Sequence, residues 1–522
     1  MSFLMDNLPM FLIAIPLLMA PVTILTKGNP GLQKAIDIVV GFVLLCLSVL
    51  LITTVWNNGI IAYDVGEFGK YGIVLVADLL SAGMVLLNCS IGFLGLIYSY
   101  DYIEDHSLNQ TYHTLYNLML AGINGIFLTG DIFNMFVFFE IMLLSSAALI
   151  VANETSKVTK ISDKMEATMK YLVLNILGGN VMLIAVTSLY ASIGSLNIAD
   201  ITLKIRMLAE TGAVPWHLYA VGLLFIIVFG GKAAMFPLHY WLPDVHPTAP
   251  SPISAMLSGV IIKIGAYGIL RVLFMMFAPF QAVYGPVILF TALVTLALGA
   301  TSAVGQSDVK RMLAYSSVSQ IGYIFLGFGM AAMANVAGET EAATLILAAS
   351  VVYMINHALA KSMLFLTSGG IIHTADTRDM RQMGGMINKA PMMGAAFLVG
   401  AMSIGGVPPM GGFISKFMLF DAGLRAQFYL PIGIALIFAI FTLFYMFRGW
   451  MLIFWGERDA QYGEYSHHKL SPLIVVPILL LAAVVLIVGL YPEPVVQFSQ
   501  TIASQIIDPQ PYIDEVMVRV IR

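Results

Sequence analysis

The sequence predicts an all-α, polytopic integral membrane protein with about 14 transmembrane helices, two inverted five-helix repeats and two broken helices. Three observations predict this. The composition is too apolar for a water-soluble domain, apolar runs of spanning length recur along the chain, and two interruptions rich in glycine and proline fall in spans five apart in order.

Of the 522 residues, 59% are hydrophobic and 10% are charged, whereas about a quarter are charged in soluble domains. The length therefore divides into spans of about 20 residues rather than into soluble domains. A net charge of −4 with no basic block excludes a nucleic-acid partner. Cys46 and Cys89 fall inside apolar runs without the spacing of a metal or redox motif, so they read as packing residues. The stretch before Lys27 holds Asp6 and no Lys or Arg, which predicts a first permanent span rather than a basic cleavable leader.

Fourteen runs are long enough to cross: residues 8–25, 35–56, 73–99, 113–130, 132–152, 168–192, 216–236, 252–277, 284–305, 312–335, 342–370, 391–423, 430–447 and 472–493. They lack the alternation of a barrel, and helices are the other way to satisfy a backbone in hydrocarbon. The runs group into an N-terminal unit of three spans (1–112), a first repeat of spans four to eight (113–277), a second repeat of spans nine to thirteen (284–447), and a last span with the tail (448–522).

Cytoplasmic loops gather Lys and Arg. Loops after odd-numbered spans hold fourteen, including Lys157, Lys170, Lys310 and Lys469; loops and span ends after even-numbered spans, with the tail, hold seven, including Lys70, Arg271 and Arg522. Both termini are therefore expected outside. The count leaves four of the 25 basic residues, Lys232, Lys263, Lys361 and Lys416, and all four lie within spans. A lysine near a helix centre costs about 2.5–3.5 kcal/mol on insertion scales, so the four together represent roughly 10–14 kcal/mol that packing must offset. Among the acids, Glu140 sits mid-span with no charged residue within eight positions on either side; Asp78 lies in span three, and Asp131 and Asp421 lie near span ends.

A buried carboxylate and a buried ammonium sharing a dry cavity can exchange protons near neutral pH. Glu140 in span five and Lys232 in span seven are the first candidate pair. The competing reading is a static salt bridge that only fixes packing, but one Glu cannot neutralise four lysines. Span seven ends in Gly230-Gly231-Lys232-Ala233-Ala234-Met235-Phe236-Pro237, and span twelve carries Gly405-Gly406-Val407-Pro408-Pro409-Met410-Gly411-Gly412 shortly before Lys416. Proline removes a helix hydrogen bond, and paired interruptions in two halves point to a transport site, with a plain packing kink as the alternative. An odd number of crossings separates the two spans, so they run in opposite directions, with Lys232 answering Lys416.

In span eleven, Ser350, Tyr353, His357 and Lys361 recur every three or four residues and share one face. A histidine beside a buried lysine can pass a proton at neutral pH; a satisfied core histidine is the bland reading. Lys263, with Tyr267 one turn on, fits between the halves. His239 and His246 flank Asp244 in a proline-bounded loop that reads as a cap over span seven and a proton entrance rather than a zinc site. The charged stretch from Asn153 to Lys170 reads as a solvated cytoplasmic loop. No phosphate-binding glycine loop, nucleophile triad or redox motif stands out, and no cofactor or metal is expected.

Four stretches, Phe127 to Glu140, Lys232 to Pro252, Asp308 to Ser317 and His357 to Leu366, resemble the antiporter-like family. That family comprises the large proton-channel subunits of complex I, the Mrp multisubunit sodium/proton antiporters and the membrane-bound hydrogenases. The Thr129-Gly130-Asp131 to Glu140 stretch and the tail from Asp508 to Val516 are most similar to D-type subunits of the Mrp branch. The resemblance implies that Glu140 and Lys232 match the first half-channel pair, Lys263 the connecting lysine, His357 and Lys361 the central polar axis, and Lys416 the terminal lysine. Lys416 departs from the Glu expected in the M-type complex I subunit, and Gln320 stands where a histidine is often found.

Three functions follow as expectations: a proton-translocating subunit of a sodium/proton antiporter, a pump subunit of a redox-driven complex using the same residues, or an organic solute carrier with a midplane pocket. The first carries the expected partners, namely other subunits of a hetero-oligomeric complex, protons and Na+, in a multi-pass chain of the cell membrane. The chain itself is expected to be a transporter subunit and not an enzyme.

Overall fold

The computed structural model describes residues 5–66, 68, 72–103, 111–151, 160–458, 465 and 470–520. Lys70, Lys157, Lys469, Arg522 and residues 153–159 of the expected charged loop lie outside the described residues. In chain order the elements are α1 (Leu8–Leu25), α2 (Pro30–Asn58), β1 (Ile61–Val65), β2 (Ile73–Ala77), α3 (Leu79–Tyr102), α4 (Tyr112–Leu128), α5 (Ile132–Val151), α6 (Ile161–Ile193) and α7 (Ile198–Glu210). There follow α8 (His217–Lys232), α9 (Trp241–Thr248), α10 (Ser251–Met276), α11 (Gln281–Val304), α12 (Val309–Val336) and α13 (Thr340–Ala375). The chain closes with α14 (Pro391–Gly405), α15 (Gly411–Arg425), α16 (Tyr429–Phe454), α17 (Pro472–Leu490), α18 (Glu493–Ile507) and α19 (Gln510–Val520).

Eleven of the described helices are long and apolar enough to cross a membrane, and each falls on one of the fourteen expected runs. The other three runs behave differently. Residues 113–130 form α4, of 17 residues, 216–236 form α8, of 16, and 391–423 split into α14 and α15, of 15 each.

The start of the third expected span is corrected. Residues 73–77, read as the start of span three, form β2, which pairs antiparallel with β1 in the register Ile61 to Ala77. The apolar run continues through Leu79, so composition alone does not mark the boundary. Asp78 does: its carboxylate accepts from the Ser81 N–H at 2.9 Å while Ser81 Oγ accepts from the Asp78 N–H, a capping box that starts α3 here.

Burial sorts the helices into layers. The most apolar windows of α10, α12 and α13 are 100%, 94% and 78% buried, against 28–39% for α1, α2, α6, α16 and α17. Helices apolar on all sides belong in the centre, and these three form it. At 36 residues α13 is ~54 Å long, longer than the ~30 Å hydrocarbon layer. Close packing rests on small residues: a Cβ on Gly322 of α12 would lie 2.7 Å from the Leu296 backbone of α11.

Both expected breaks are present. After Lys232 the chain leaves α8 through Ala234, at φ 59°, and re-forms as α9. The Trp241 indole covers the exposed end by donating to Gly231 O at 3.1 Å. The second break runs from Gly406, at φ 81°, to Met410. Only glycine fits at its far end, because a Cβ on Gly412 would overlap Ser403 O at 1.7 Å.

Candidate functional site

On α5, Glu140 is half-buried, which corrects the reading of a buried carboxylate. Its carboxylate fills the groove left by the missing side chain of Gly179 on α6, where a Cβ would stand 2.3 Å from Glu140 Oε1. Lys232, at the last residue of α8, is 2% exposed and donates to Asn175 Oδ1 at 2.8 Å. Asn175 and Gly179 are one turn apart on α6, so Glu140 and Lys232 meet across a single turn. They are electrostatic neighbours, but among the described residues they form no direct ion pair. The Lys232 ammonium also lies 4.5 Å from the Phe139 ring centre and 5.7 Å from that of Tyr171, as cations favour aromatic faces.

Lys416 repeats this arrangement in the other half. Its ammonium lies 4.6 Å from the Tyr323 ring on α12 and 5.8 Å from the Tyr353 ring on α13. It donates to Ile404 O at 2.9 Å, one of the carbonyls left free in the last turn of α14.

Between them lies the centre. The Leu257–Ile261 segment of α10 is π-helical, a distortion frequent at functional positions, and Lys263 Nζ donates to Ser258 O within it. Ser258 Oγ and Ser317 Oγ are 2.8 Å apart; Ser317 donates to Leu313 O at 2.9 Å, and Lys361 Nζ donates to the same carbonyl at 3.0 Å. The two ammonium groups thus rest on backbone carbonyls of Ser258 and Leu313, on either side of the Ser258–Ser317 hydroxyl pair. His357, one turn before Lys361, is fully buried with neither ring nitrogen bonded, and has Lys263, Lys361 and Lys416 as electrostatic neighbours. Tyr353 donates to Gln320, whose amide donates to Tyr445 Oη at 3.2 Å, and Tyr445 donates to Ser316 at 2.9 Å.

Of the expected site residues, Lys263, His357 and Lys361 gather in one cluster, with Lys232 and Glu140 at one end and Lys416 at the other. Four basic residues counted as loop or span-end residues are buried: Lys34, Lys164, Lys310 and Arg271. Lys310 is 3% exposed and donates to Ala249 O at 2.8 Å. Arg271 is 3% exposed and forms a two-pronged pair with Asp78 at 2.7 and 2.8 Å. Their position at span ends hid the fold that covers them.

Other residues went unremarked. Asn175, Ser258 and Ser317 carry the hydrogen bonds of the site, and an amide inside an apolar run was the available signal for the first. His246 is enclosed rather than on a loop surface: its ring stacks on Phe365 at 4.3 Å, neither nitrogen is bonded, and Lys310, Lys361 and Lys263 are its electrostatic neighbours. Among the described residues no three His, Cys, Asp or Glu side chains converge as metal ligands. Outside the membrane-depth helices, Asp379 is held below the usual carboxylate range by its hydrogen bonds to Arg381.

Ammonium groups, hydroxyls and an imidazole enclosed among hydrocarbon-depth helices define an ion-translocating subunit of the membrane-embedded type. The chain belongs to the NADH:quinone oxidoreductase/Mrp antiporter family, whose transmembrane-region model matches residues 129–442. It is 34% identical over 516 residues to the D-type Na(+)/H(+) antiporter subunit of Alkalihalophilus pseudofirmus, covering 98% of this chain and 100% of that one. It is 30% identical over 514 residues to the D-type Na(+)/H(+) antiporter subunit of Bacillus subtilis, with 98% and 100% covered. A chain of the Mrp complex from Dietzia sp. DQ12-45-1b is similar with a TM-score of 0.88 at 27% identity, covering 98% of this chain and 99% of that chain. A chain of the membrane-bound sulfane sulfur reductase, an archaeal respiratory membrane complex, reaches 0.84 at 26%, with the same coverage.

Proposed function

We propose that this chain is the proton-translocating subunit of a multisubunit Na+/proton antiporter, moving protons along Glu140, Lys232, Lys263, Lys361, His357 and Lys416. It is a transporter subunit rather than an enzyme, and its partners are the other membrane subunits of the complex. The observation that supports the reading is the enclosure of Lys263, His357 and Lys361 in the fully buried centre, with both ammonium groups on backbone carbonyls beside one hydroxyl pair. A structural ion pair would set a carboxylate, not a second ammonium, beside each lysine.

The mechanism is electrostatic. A protonated Lys232 stabilises ionised Glu140 across the Asn175–Gly179 turn. When that pair opens, the charge on Lys232 repels the proton held in the centre, which passes by His357 towards Lys416. The matching ring pairs around Lys232 and Lys416, each drawn from the two helices two and one spans earlier, support reading 113–277 and 284–447 as inverted repeats. Protons reach the centre from an open cavity of about 370 Å³ lined by Asp163, Glu166, Asp244, Asp308, Arg311 and Arg378. His246 lies on the same α9 turn as Asp244, and Lys310 is its electrostatic neighbour. The basic loops on this face make it cytoplasmic, which puts both termini outside a cell membrane.

Glu140→Ala or Lys232→Ala abolishes Na+-dependent proton exchange in vesicles while the complex still assembles; full exchange in either variant would end this reading. The likeness to the sulfane sulfur reductase chain favours a second reading, a redox-driven pump subunit. Copurification in mild detergent separates the two: small membrane subunits alone support the antiporter, and iron–sulfur or nickel proteins support the pump.

A further inference from the structure

The two breaks hold their lysines by different means. Lys232 donates to a side chain, Asn175, carried by the unbroken helix α6. Lys416 donates instead to the carbonyl of Ile404, the next-to-last residue of α14, so its acceptor is part of the break itself. Helix ends fray, and a carbonyl at such an end is a fixed acceptor only where something outside the break holds it.

Asn356 is placed to do so. It lies on α13 next to His357, is 1% exposed, and its Oδ1 accepts from Ser403 Oγ at 2.9 Å. Ser403 immediately precedes Ile404. The same amide reaches the opposite lip of the break: a Cβ on Gly411 would lie 2.8 Å from Asn356 Oδ1, and one on Gly412 would lie 3.2 Å from its Nδ2. The stem of Lys416 crosses the break beside them, with its Cδ 3.1 Å from where a Cβ on Gly406 would stand. Among the described residues, the Ser403–Asn356 bond is the one side-chain hydrogen bond between residues 402–412 and a helix other than α14 and α15. Asn356 Nδ2 has no hydrogen-bond partner among the described residues, so packing alone would favour leucine here over an amide.

We infer that Asn356 is a positioning residue for Lys416: through Ser403 it fixes the Ile404 carbonyl, and so sets how firmly the terminal lysine holds its charge. It acts on the proton at Lys416 Nζ through the acceptor and does not touch the ammonium. This rests on the reading of Lys416 as the terminal group of the proton axis.

The test uses the assembled complex in vesicles and reads Na+-dependent proton exchange across a pH series. Asn356→Leu keeps the volume and removes the acceptor; Ser403→Ala removes the hydroxyl on the other side of the same bond. The titratable groups around Lys416 stay unchanged. They are Tyr323 on α12, Tyr353 and His357 on α13, and Tyr445 on α16, an electrostatic neighbour of both rings. Helices α14 and α17 carry none, and on α15 itself Asp421 and Arg425 pair with each other. A displaced carbonyl withdraws stabilisation from the charged lysine alone, so the proton leaves at lower pH. Each variant is expected to assemble at wild-type level and to slow exchange about tenfold near the wild-type alkaline midpoint. The alkaline limb of the profile, where exchange falls as Lys416 loses its proton, is expected to move about one unit to lower pH. The double variant is expected to be no slower than the slower single one, because both changes remove one bond.

Wild-type rate and alkaline limb in both single variants would overturn the inference. Slower exchange with an unmoved limb, losses that add in the double variant, or a loss that only tracks reduced assembly would overturn it too. Ser403→Ala, the milder change, decides alone if Asn356→Leu does not assemble. Lys416→Ala in the same vesicles separates the two readings: an inactive Lys416→Ala beside wild-type-like Asn356 and Ser403 variants removes this inference alone, and an active one removes the terminal-lysine reading beneath it.

Discussion

Asn175 is the most informative position for the Glu140–Lys232 pair. Its side-chain oxygen is the acceptor for the Lys232 ammonium at 2.8 Å, and its amide nitrogen returns to Tyr171 O at 2.7 Å on its own helix. Asn175→Leu keeps the volume, leaves Tyr171 O inside α6, and removes the acceptor from a cation that is 2% exposed. A hydrogen bond to a charged group contributes about 1.5–3 kcal/mol. Aromatic faces remain over Lys232, but they cannot accept a directed N–H bond of that strength. If the charged lysine is an obligatory intermediate, losing that stabilisation lowers its population, and with it the exchange rate, by roughly 10- to 150-fold. The assay is Na+-dependent proton exchange in inverted vesicles, read by a pH-sensitive dye, with assembly checked on native gels. An Asn175→Leu complex that assembles normally and exchanges at wild-type rate would refute the claim that Lys232 works from this hydrogen bond.

Gly179→Ala places a Cβ 2.3 Å from Glu140 Oε1 and must displace the carboxylate, so exchange is expected to fall by about tenfold or more if its position sets the coupling. Gly178→Ala next to it meets open space and serves as the control, with wild-type exchange expected; equal activity in the two variants would count against the geometry. Asp78→Ala strands Arg271 in a buried site where it is otherwise paired at 2.7 Å. Removing one partner of a buried pair costs about 3–5 kcal/mol, so the detergent-solubilised complex is expected to melt at a clearly lower temperature, and an unchanged melting curve would refute the account of Arg271 as an anchored cation.

Apolar length and the positions of Gly and Pro carried most of the fold. Eleven runs became spanning helices because a hydrocarbon solvent leaves few choices for a backbone, and both breaks fell where glycine and proline interrupt an apolar run beside a lysine. The hairpin at Ile61–Ala77 escaped because a buried strand and a helix start are equally apolar, and the signal that separates them, the Asp78–Ser81 cap, is local and short. Within the site, lysines in mid-span were conspicuous because charge in hydrocarbon is costly. Ser258 and Ser317 were not, since a serine in a transmembrane helix usually bonds its own backbone and only three-dimensional pairing distinguishes the two that bond each other. Lys34, Lys164, Lys310 and Arg271 were hidden for a related reason: each lies near the end of an apolar run, where a solvated end and one roofed by a neighbouring helix read alike in sequence.

The two ring-flanked lysines differ in what else surrounds them, and that difference makes the two ends of the proposed axis unequal. Lys232 has Glu140 as an electrostatic neighbour and a side-chain amide as acceptor. Lys416 has the Ile404 carbonyl and two rings, with no carboxylate among its electrostatic neighbours in the described chain. Charge arriving at Lys232 is retained for as long as Glu140 stays ionised, whereas charge arriving at Lys416 meets only dipoles and ring faces, which attract a cation far less than a carboxylate does in a low-dielectric interior. The carboxylate beside Lys232 therefore has no counterpart beside Lys416 among the described residues. Gln320, hydrogen-bonded to Tyr353 and Tyr445 beside Lys416, fits the same logic: it orders the hydroxyls around the terminal lysine without adding a charge that would keep the proton there.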